Sequence, residues 1–240
     1  MTMNIAVFDS GIGGLTVLNE AVRQLPSEHY IYYADTTHVP YGTKSKQDVK
    51  GYIFAAVEKL SGLRLKALVV ACNTATSIAV DELRAVYPFP IIGMEPAVKP
   101  AIEASKRDSM RVLVMATPLT LKESKFQHLV AKVDDRHLVD SLPMPELVSM
   151  CERLEFREEV VAPYFKEKLA PFDLSEYGAI VLGCTHYPFY TRLLRTVLPD
   201  HISIMDGSSG TVKRLRQVLG ERGELLGEGV GSVTFLSSSG

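Results

Sequence analysis

Two short stretches carry the residue types and spacing for acid–base chemistry: Val70–Thr74 (VACNT) and Leu182–His186 (LGCTH). Each sets a cysteine just past apolar, β-favouring residues, Ala67–Val70 before Cys72 and Ala179–Leu182 before Cys184. Small polar side chains follow at once, Asn73 and Thr74 after the first thiol, Thr185 and His186 after the second. A lone buried cysteine is in most cases a small hydrophobe. Two thiols in matching positions, one with a histidine two residues on, fit a pair of acid/base groups on opposite sides of one substrate atom. One, as thiolate, takes a proton; the other, as thiol, delivers one. Other thiol chemistries fit less well. Zinc sites favour close ligand pairs, and here only Cys184 and His186 are close. A C-x-x-C redox pair is absent, and a cysteine hydrolase would leave one thiol without a task. Cys151, in the apolar stretch Leu147–Met150, reads as packing.

The elements that must position these thiols follow from the apolar pattern. Asn4–Phe8 reads as a strand ending in Asp9-Ser10-Gly11-Ile12-Gly13-Gly14, with a helix over Leu15–Leu25. Thr16 stands where a dinucleotide-binding G-x-G-x-x-G needs its last glycine, and the P-loop lysine is missing. An isolated Asp at a strand end caps a helix more often than it catalyses; the sharper reading makes Asp9 a carboxylate aimed into the pocket. A strand at His29–Ala34 leads to Asp35 and the turn Pro40-Tyr41-Gly42. The helix Gln47–Leu60, strand Ala67–Ala71, helix Thr74–Val86 and strand Pro90–Met94 complete the first half.

The order then repeats. Strands are expected at Arg111–Ala116, His137–Leu142, Ala179–Gly183 and Ile202–Asp206. Helices are expected from Thr120 to about Ala131, at Glu146–Arg153, Glu155–Leu169, Phe189–Leu198 and Thr211–Leu219. Thr117 falls where Asp9-Ser10 falls in the first half, and Cys184-Thr185-His186 where Cys72-Asn73-Thr74 falls. The fold expected is therefore α/β: two similar lobes, each a mostly parallel sheet flanked by helices, related by pseudo-two-fold symmetry. Residues 1–97 plus 207–240 form the first lobe and 98–206 the second. Ligands bind at the carboxyl ends of parallel strands and in clefts between lobes, which puts both thiols at one interdomain cleft. A weak strand at Ser232–Leu236 precedes a tail, ending at Gly240, expected to be mobile.

Composition narrows the class. At 46% hydrophobic and 22% charged, the chain reads as an ordinary globular protein with a workable core. A net charge of −2 gives no basic face for nucleic acid, so none is expected as a partner. The opening residues lack a basic stretch leading into an apolar core, and no apolar run reaches the roughly 18 residues of a membrane span. Three cysteines make a poor disulfide framework. The expectation is a cytoplasmic chain with reduced thiols, no secretory leader and no membrane association.

The ordered set FDSGIGGLTV (Phe8–Val17), Asp35 with PYG (Pro40–Gly42), ACNTAT (Ala71–Thr76), ATPLT (Ala116–Thr120) and GCTHYP (Gly183–Pro188) resembles the cofactor-independent aspartate/glutamate racemase family, its glutamate racemases in particular. The resemblance runs over nearly the whole chain. It implies an isomerase that interconverts L- and D-glutamate without a cofactor or metal, supplies D-glutamate for peptidoglycan, and forms a homodimer. By the same resemblance Cys72 deprotonates the D-enantiomer and Cys184 the L-enantiomer, Asp9 assists the first thiol, and His186 with Glu152 assists the second. Ser10, Pro40, Tyr41, Gly42, Asn73, Thr74, Thr117, Thr120 and Thr185 match positions that hold the substrate's ammonium and carboxylates. The stretch Met144–Glu152 departs from the family's usual C-P-x-F-V-P-L-V-E, which leaves Glu146 as a rival to Glu152. Two other readings stay open: an aspartate or other small amino-acid racemase of the same family, and a two-lobed amino-acid-binding or regulatory protein without turnover.

Overall fold

The computed structural model describes residues 3–105 and 110–239. The first sheet is built from β1 (Asn4–Asp9), β2 (His29–Ala34), β3 (Leu65–Val70) and β4 (Ile91–Gly93). Between them run α1 (Leu15–Gln24), α2 (Lys46–Ser61) and α3 (Asn73–Val86). After α4 (Val98–Ser105) comes β5 (Arg111–Ala116), then α5 (Pro118–Lys122), α6 (Ser124–Val133) and β6 (Val139–Pro143). The chain continues through α7 (Pro145–Glu152), α8 (Glu158–Leu169), β7 (Tyr177–Gly183), α9 (Thr191–Arg195) and β8 (Ser203–Asp206). It closes with α10 (Ser208–Glu221) and β9 (Ser232–Ser237).

The sheets have strand orders β4-β3-β1-β2-β9 and β6-β5-β7-β8, with parallel neighbours throughout. Read outward from β2, the first sheet runs 2-1-3-4; read from β6, the second runs 6-5-7-8. This is the same order displaced by four strands, so the repeat is one of topology. Among the described residues, only β9 has no counterpart. The strands that precede the thiols, β3 and β7, stand beside the central β1 and β5.

Parallel strands are covered on both faces by their crossover helices, so they must be apolar on both. β3 (LKALVV) is buried at every position. Phe8, Leu68 and Val70 pack toward α2 and α3, whereas Ile5, Val7 and Val69 pack toward α1 and α10 through Val17, Leu18, Val212 and Leu215. In the second sheet Leu113, Ile180 and Leu182 meet Val148 and Phe165 on one face, and Val112, Val114 and Val181 meet Ile102 and Phe126 on the other. Each such side chain contributes about 1.5–3 kcal/mol by leaving water. The strand ends therefore make a firm platform.

The structure departs from the sequence reading in five places, the first being that the helix expected from Thr120 to about Ala131 is two, α5 and α6, parted at the extended Glu123. α4 has no counterpart in the sequence reading; Pro100 is the third residue of the helix, where its missing N–H has no intrahelical partner to lose. The expected helix from Phe189 is a 3-10 turn over Tyr187–Tyr190 followed by the shorter α9. α8 starts at Glu158 and not at Glu155, because its N-cap Arg157 is extended, with φ −68° and ψ 131°. The tail expected to be mobile is fastened. Ser238 N donates to Ala34 O at 3.0 Å and Thr37 N to Ser238 Oγ at 2.9 Å, continuing the β2–β9 pairing into the loop after β2. Gly240 lies outside the described residues.

Candidate active site

β1, β3, β5 and β7 deliver their C-terminal residues to one buried cleft. On the first lobe, Cys72 is the N-cap of α3, and its Sγ accepts the Ala75 N–H at 3.4 Å. Ser10 Oγ lies 3.8 Å from the same sulfur. Asp9, the last residue of β1, is fully buried. Its Oδ2 accepts the Gly11 N–H at 3.1 Å, and its Oδ1 accepts the Thr185 hydroxyl from the other lobe at 3.1 Å. Asp9 thus ties its own turn and also reaches across the cleft.

On the second lobe, Cys184 Sγ lies 3.6 Å from His186 Nδ1. His186 Nε2 meets Glu152 Oε1 at 2.5 Å, and the same carboxylate oxygen accepts the Ile12 N–H of the first lobe at 2.9 Å. Glu146 points elsewhere, toward the Tyr164 hydroxyl at 2.7 Å and Lys168 at 3.5 Å. Of the two rival carboxylates, Glu152 is therefore the one in contact with the histidine. Cys151 is buried among the core residues of α7 and α8, as its sequence setting implies.

The remaining matched positions divide into hydroxyls and backbone. Thr74, Thr117 and Thr120 form a triangle of hydroxyl oxygens at 3.0, 3.0 and 2.9 Å that spans the two lobes. Thr117 caps α5, with Pro118 at its first turn. Asn73 is buried, and its Oδ1 makes no hydrogen bond. An orphaned buried acceptor is costly, which makes it a ready partner for an ammonium donor. The Tyr41–Thr43 turn abuts Thr117: a Cβ added to Gly42 would sit 2.4 Å from that side chain's Cβ. A Cβ on Gly11 would lie 1.9 Å from Glu152 Oε1, and one on Gly13 2.5 Å from His186 Nδ1. These glycines let one lobe's main chain lie directly on the other lobe's polar side chains. The cleft is closed: Cys72 is 6% and Cys184 7% exposed.

Sequence reasoning gave no task to two residues beside the site. Asp35 is buried, accepts the Tyr41 hydroxyl at 2.6 Å and His38 Nδ1 at 2.8 Å, and so pins the Pro40–Gly42 turn. His38 in turn stacks on Tyr52, with ring centroids 3.8 Å apart. Tyr32, on β2, donates its hydroxyl to Gly11 O at 2.6 Å. A signal existed: a tyrosine on a buried strand needs a partner for its hydroxyl.

Burial dominates the electrostatics. It pushes the Cys72 thiol up to about 12, with the Asp9 carboxylate adding to the rise and the Ala75 N–H opposing it. Burial also lifts Cys184 well above the ordinary thiol value, opposed by the His186 backbone N–H, with Cys72 and Asp9 raising it further. Asp9 itself is raised by burial, against the pull of His186 and its hydrogen-bond donors. Burial thus favours the neutral form of both thiols.

Two α/β lobes with equivalent strands, each followed by a buried thiol, thus meet at one shared polar cleft. The family model for Asp/Glu/Hydantoin racemase matches residues 8–215, and the chain belongs to that family and is a racemase. It is 54% identical to a glutamate racemase of Halothermothrix orenii over 98% of this chain and 93% of that protein. Among solved structures it is similar to a glutamate racemase isoform from Bacillus anthracis, with TM-score 0.86, 31% identity and coverage of 98% and 88% of the two chains. The glutamate racemase of Francisella tularensis in complex with D-glutamate matches with TM-score 0.86 and 30% identity over 99% and 88%.

Proposed function

We propose that this racemase interconverts L- and D-glutamate by two-thiol proton transfer without a cofactor, and so supplies D-glutamate for peptidoglycan. The observation that carries the reading is the pair of buried thiols at the ends of the topologically equivalent β3 and β7, each backed by a different polar partner. The substrate rests on the relatives, named glutamate racemases, and on the D-glutamate bound to one of them. The lobes are assigned as 1–97 plus 207–240 and 98–206, which places β1–β4 and β9 in one and β5–β8 in the other.

In this reading the thiolate of Cys72 removes the α-proton of D-glutamate, and Cys184 as thiol protonates the opposite face; the L-enantiomer runs the reverse course. Each turnover leaves the two thiols with exchanged protonation states, which return by proton exchange with the surroundings. Asp9 serves the Cys72 side, and the His186–Glu152 pair serves the Cys184 side. The substrate brings the ammonium charge that favours a thiolate, and Asn73 Oδ1 is placed to accept from that ammonium. Hydroxyls of Ser10, Thr74, Thr117, Thr120 and Thr185, with the backbone of Pro40–Gly42, hold the carboxylates. These fixed donors, in a cleft closed to water, stabilise the carbanion formed beside the α-carboxylate. Thiols this buried require the lobes to part for substrate entry and product release.

The test is incubation with L-glutamate, and separately D-glutamate, in heavy water without added cofactor. Interconversion with α-deuterium in the product is expected, and Cys72→Ser or Cys184→Ser should each lower it by about 10³-fold or more. Turnover of aspartate and not glutamate would move the substrate within the family. Inactivity of the folded protein toward both would overturn the reading.

A further inference from the structure

The Gly11–Ile12 peptide unit is held from both of its ends. Its carbonyl oxygen accepts the Tyr32 hydroxyl at 2.6 Å, and its N–H donates to Glu152 Oε1 at 2.9 Å. Carbonyl and N–H of one trans peptide point in opposite directions. The contacts therefore form a single line: Tyr32 hydroxyl, Gly11–Ile12 peptide, Glu152, His186, Cys184. The line begins on β2 of the first lobe and ends at the second lobe's thiol. Donation to a carbonyl polarises its amide and strengthens the N–H as a donor, so hydrogen bonds in such a chain reinforce each other.

From this geometry we infer that Tyr32 is a positioning residue for the Cys184 side of the reaction; the inference rests on the two-thiol reading above. Tyr32 fixes the peptide plane, the plane's N–H fixes Glu152, and Glu152 fixes the imidazole beside Cys184. Tyr32 is suited to this. Its ring is buried against Phe235 of β9 in an edge-on contact, with centroids 6.0 Å apart, so the hydroxyl has little freedom. Gly14 leaves the space the hydroxyl needs, since a Cβ there would lie 2.9 Å from it. Toward the Cys72 side Tyr32 reaches only as far as Gly11, whose own N–H, on the preceding peptide, donates to Asp9 Oδ2; the sulfur itself is met by Ser10 and Ala75 within its own lobe. The Ile12 N–H can reach Glu152 only while the lobes are together. The carboxylate behind Cys184 is therefore fixed only on closure, whereas the groups touching the Cys72 sulfur, Ser10 and Ala75, lie in its own lobe, with Asp9 alone on that side accepting across the cleft, from Thr185.

Tyr32→Phe removes one oxygen and keeps the ring on Phe235. The expected kinetic result is a fall in kcat of about tenfold, equivalent to ~1.4 kcal/mol, with KM within about twofold because the hydroxyl is engaged by the Gly11 carbonyl. The primary isotope effect with α-deuterated L-glutamate should rise, since that bond breaks at Cys184, while the effect with α-deuterated D-glutamate stays near its original value. In NMR spectra of the ligand-saturated protein, the Ile12 amide proton should move upfield and exchange faster than in the unsubstituted protein. Isotope effects unchanged in both directions, a rise in KM at constant kcat, or an unmoved Ile12 amide would each overturn the proposal. Absence of both glutamate and aspartate turnover in the unsubstituted, folded protein would instead count against the two-thiol reading. The Ile12 resonance, followed then without ligand, would still decide whether Tyr32 holds the peptide.

Discussion

The two halves of the cleft reach the same chemical group by different means. Cys72 sits at a helix N-terminus, touched by a hydroxyl and a backbone N–H of its own lobe, with the buried Asp9 nearby. Cys184 has a side-chain imidazole at 3.6 Å, backed by a carboxylate that is itself held from across the cleft. The strand order around the two thiols is the same, yet their polar surroundings are not. A repeated topology therefore supplies equivalent positions, and the residues just past the strand ends decide how each position works. A racemase benefits from this arrangement, because its two substrates are mirror images and a chiral protein cannot present mirror-image surfaces to them.

The sharpest way to break the comparison is to remove one support at a time. Asp9→Asn and His186→Asn should each lower kcat by about 10³-fold. The two enantiomers have equal free energies, so kcat/KM must fall equally in both directions for either variant. The distinction lies in isotope effects: Asp9→Asn should raise the effect with α-deuterated D-glutamate, and His186→Asn the effect with α-deuterated L-glutamate. Equal effects in both variants would mean that the two sides are not separately supported.

Gly11→Ala tests the cross-cleft contact. Its Cβ would fall 1.9 Å from Glu152 Oε1, so either the carboxylate or the 9–14 turn must move. A displacement of this size should lower kcat by about 10²-fold. Glutamate-induced protection of amides along the seam, read by hydrogen exchange, should weaken together with the rate.

The carboxylates give a smaller and cleaner contrast. Glu152→Gln should lower kcat by about tenfold, the scale of one charge-assisted hydrogen bond. Glu146→Gln, whose native contacts are Tyr164 and Lys168, should change it by no more than about twofold. Steady-state rates on purified variants suffice.

The smallest effect concerns stability. In the unfolded chain Cys72 ionises near the ordinary 9.0, and in the folded protein near 12. Between those values the unfolded state loses its proton first, so this contribution to stability is intact below pH 9 and declines as pH rises. At pH 10 the loss attributable to Cys72 should be about 1 kcal/mol. Urea unfolding of the unsubstituted protein and of Cys72→Ser, at pH 8 and pH 10, should show the variant losing less over that interval.

How much of this was legible in the sequence depended on the range of the interaction. β3 and β7 were readable because strands covered on both faces leave continuous apolar runs, and the thiols were found because they follow those runs. The choice between Glu146 and Glu152 was not readable locally. Six residues on a helix turn the chain by about 240°, so the two carboxylates face different neighbours, and only the fold says which face meets His186. α4 was obscured by its own proline. The contact from Ile12 to Glu152 joins residues 140 apart and leaves no periodic trace. The same holds for Tyr32, whose hydroxyl reaches a carbonyl on a neighbouring turn.

The parallel strand β9 also bears on how the molecule is made. It pairs with β2 across 203 positions of sequence, whereas β5–β8 all lie within residues 111–206. A chain leaving the ribosome has every strand of its second sheet before the edge of its first is covered. At 5–20 residues per second, β2 waits about 10–40 s for its partner. Throughout that interval its hydrogen-bonding edge is open to other chains. The lobe that is begun first is finished last.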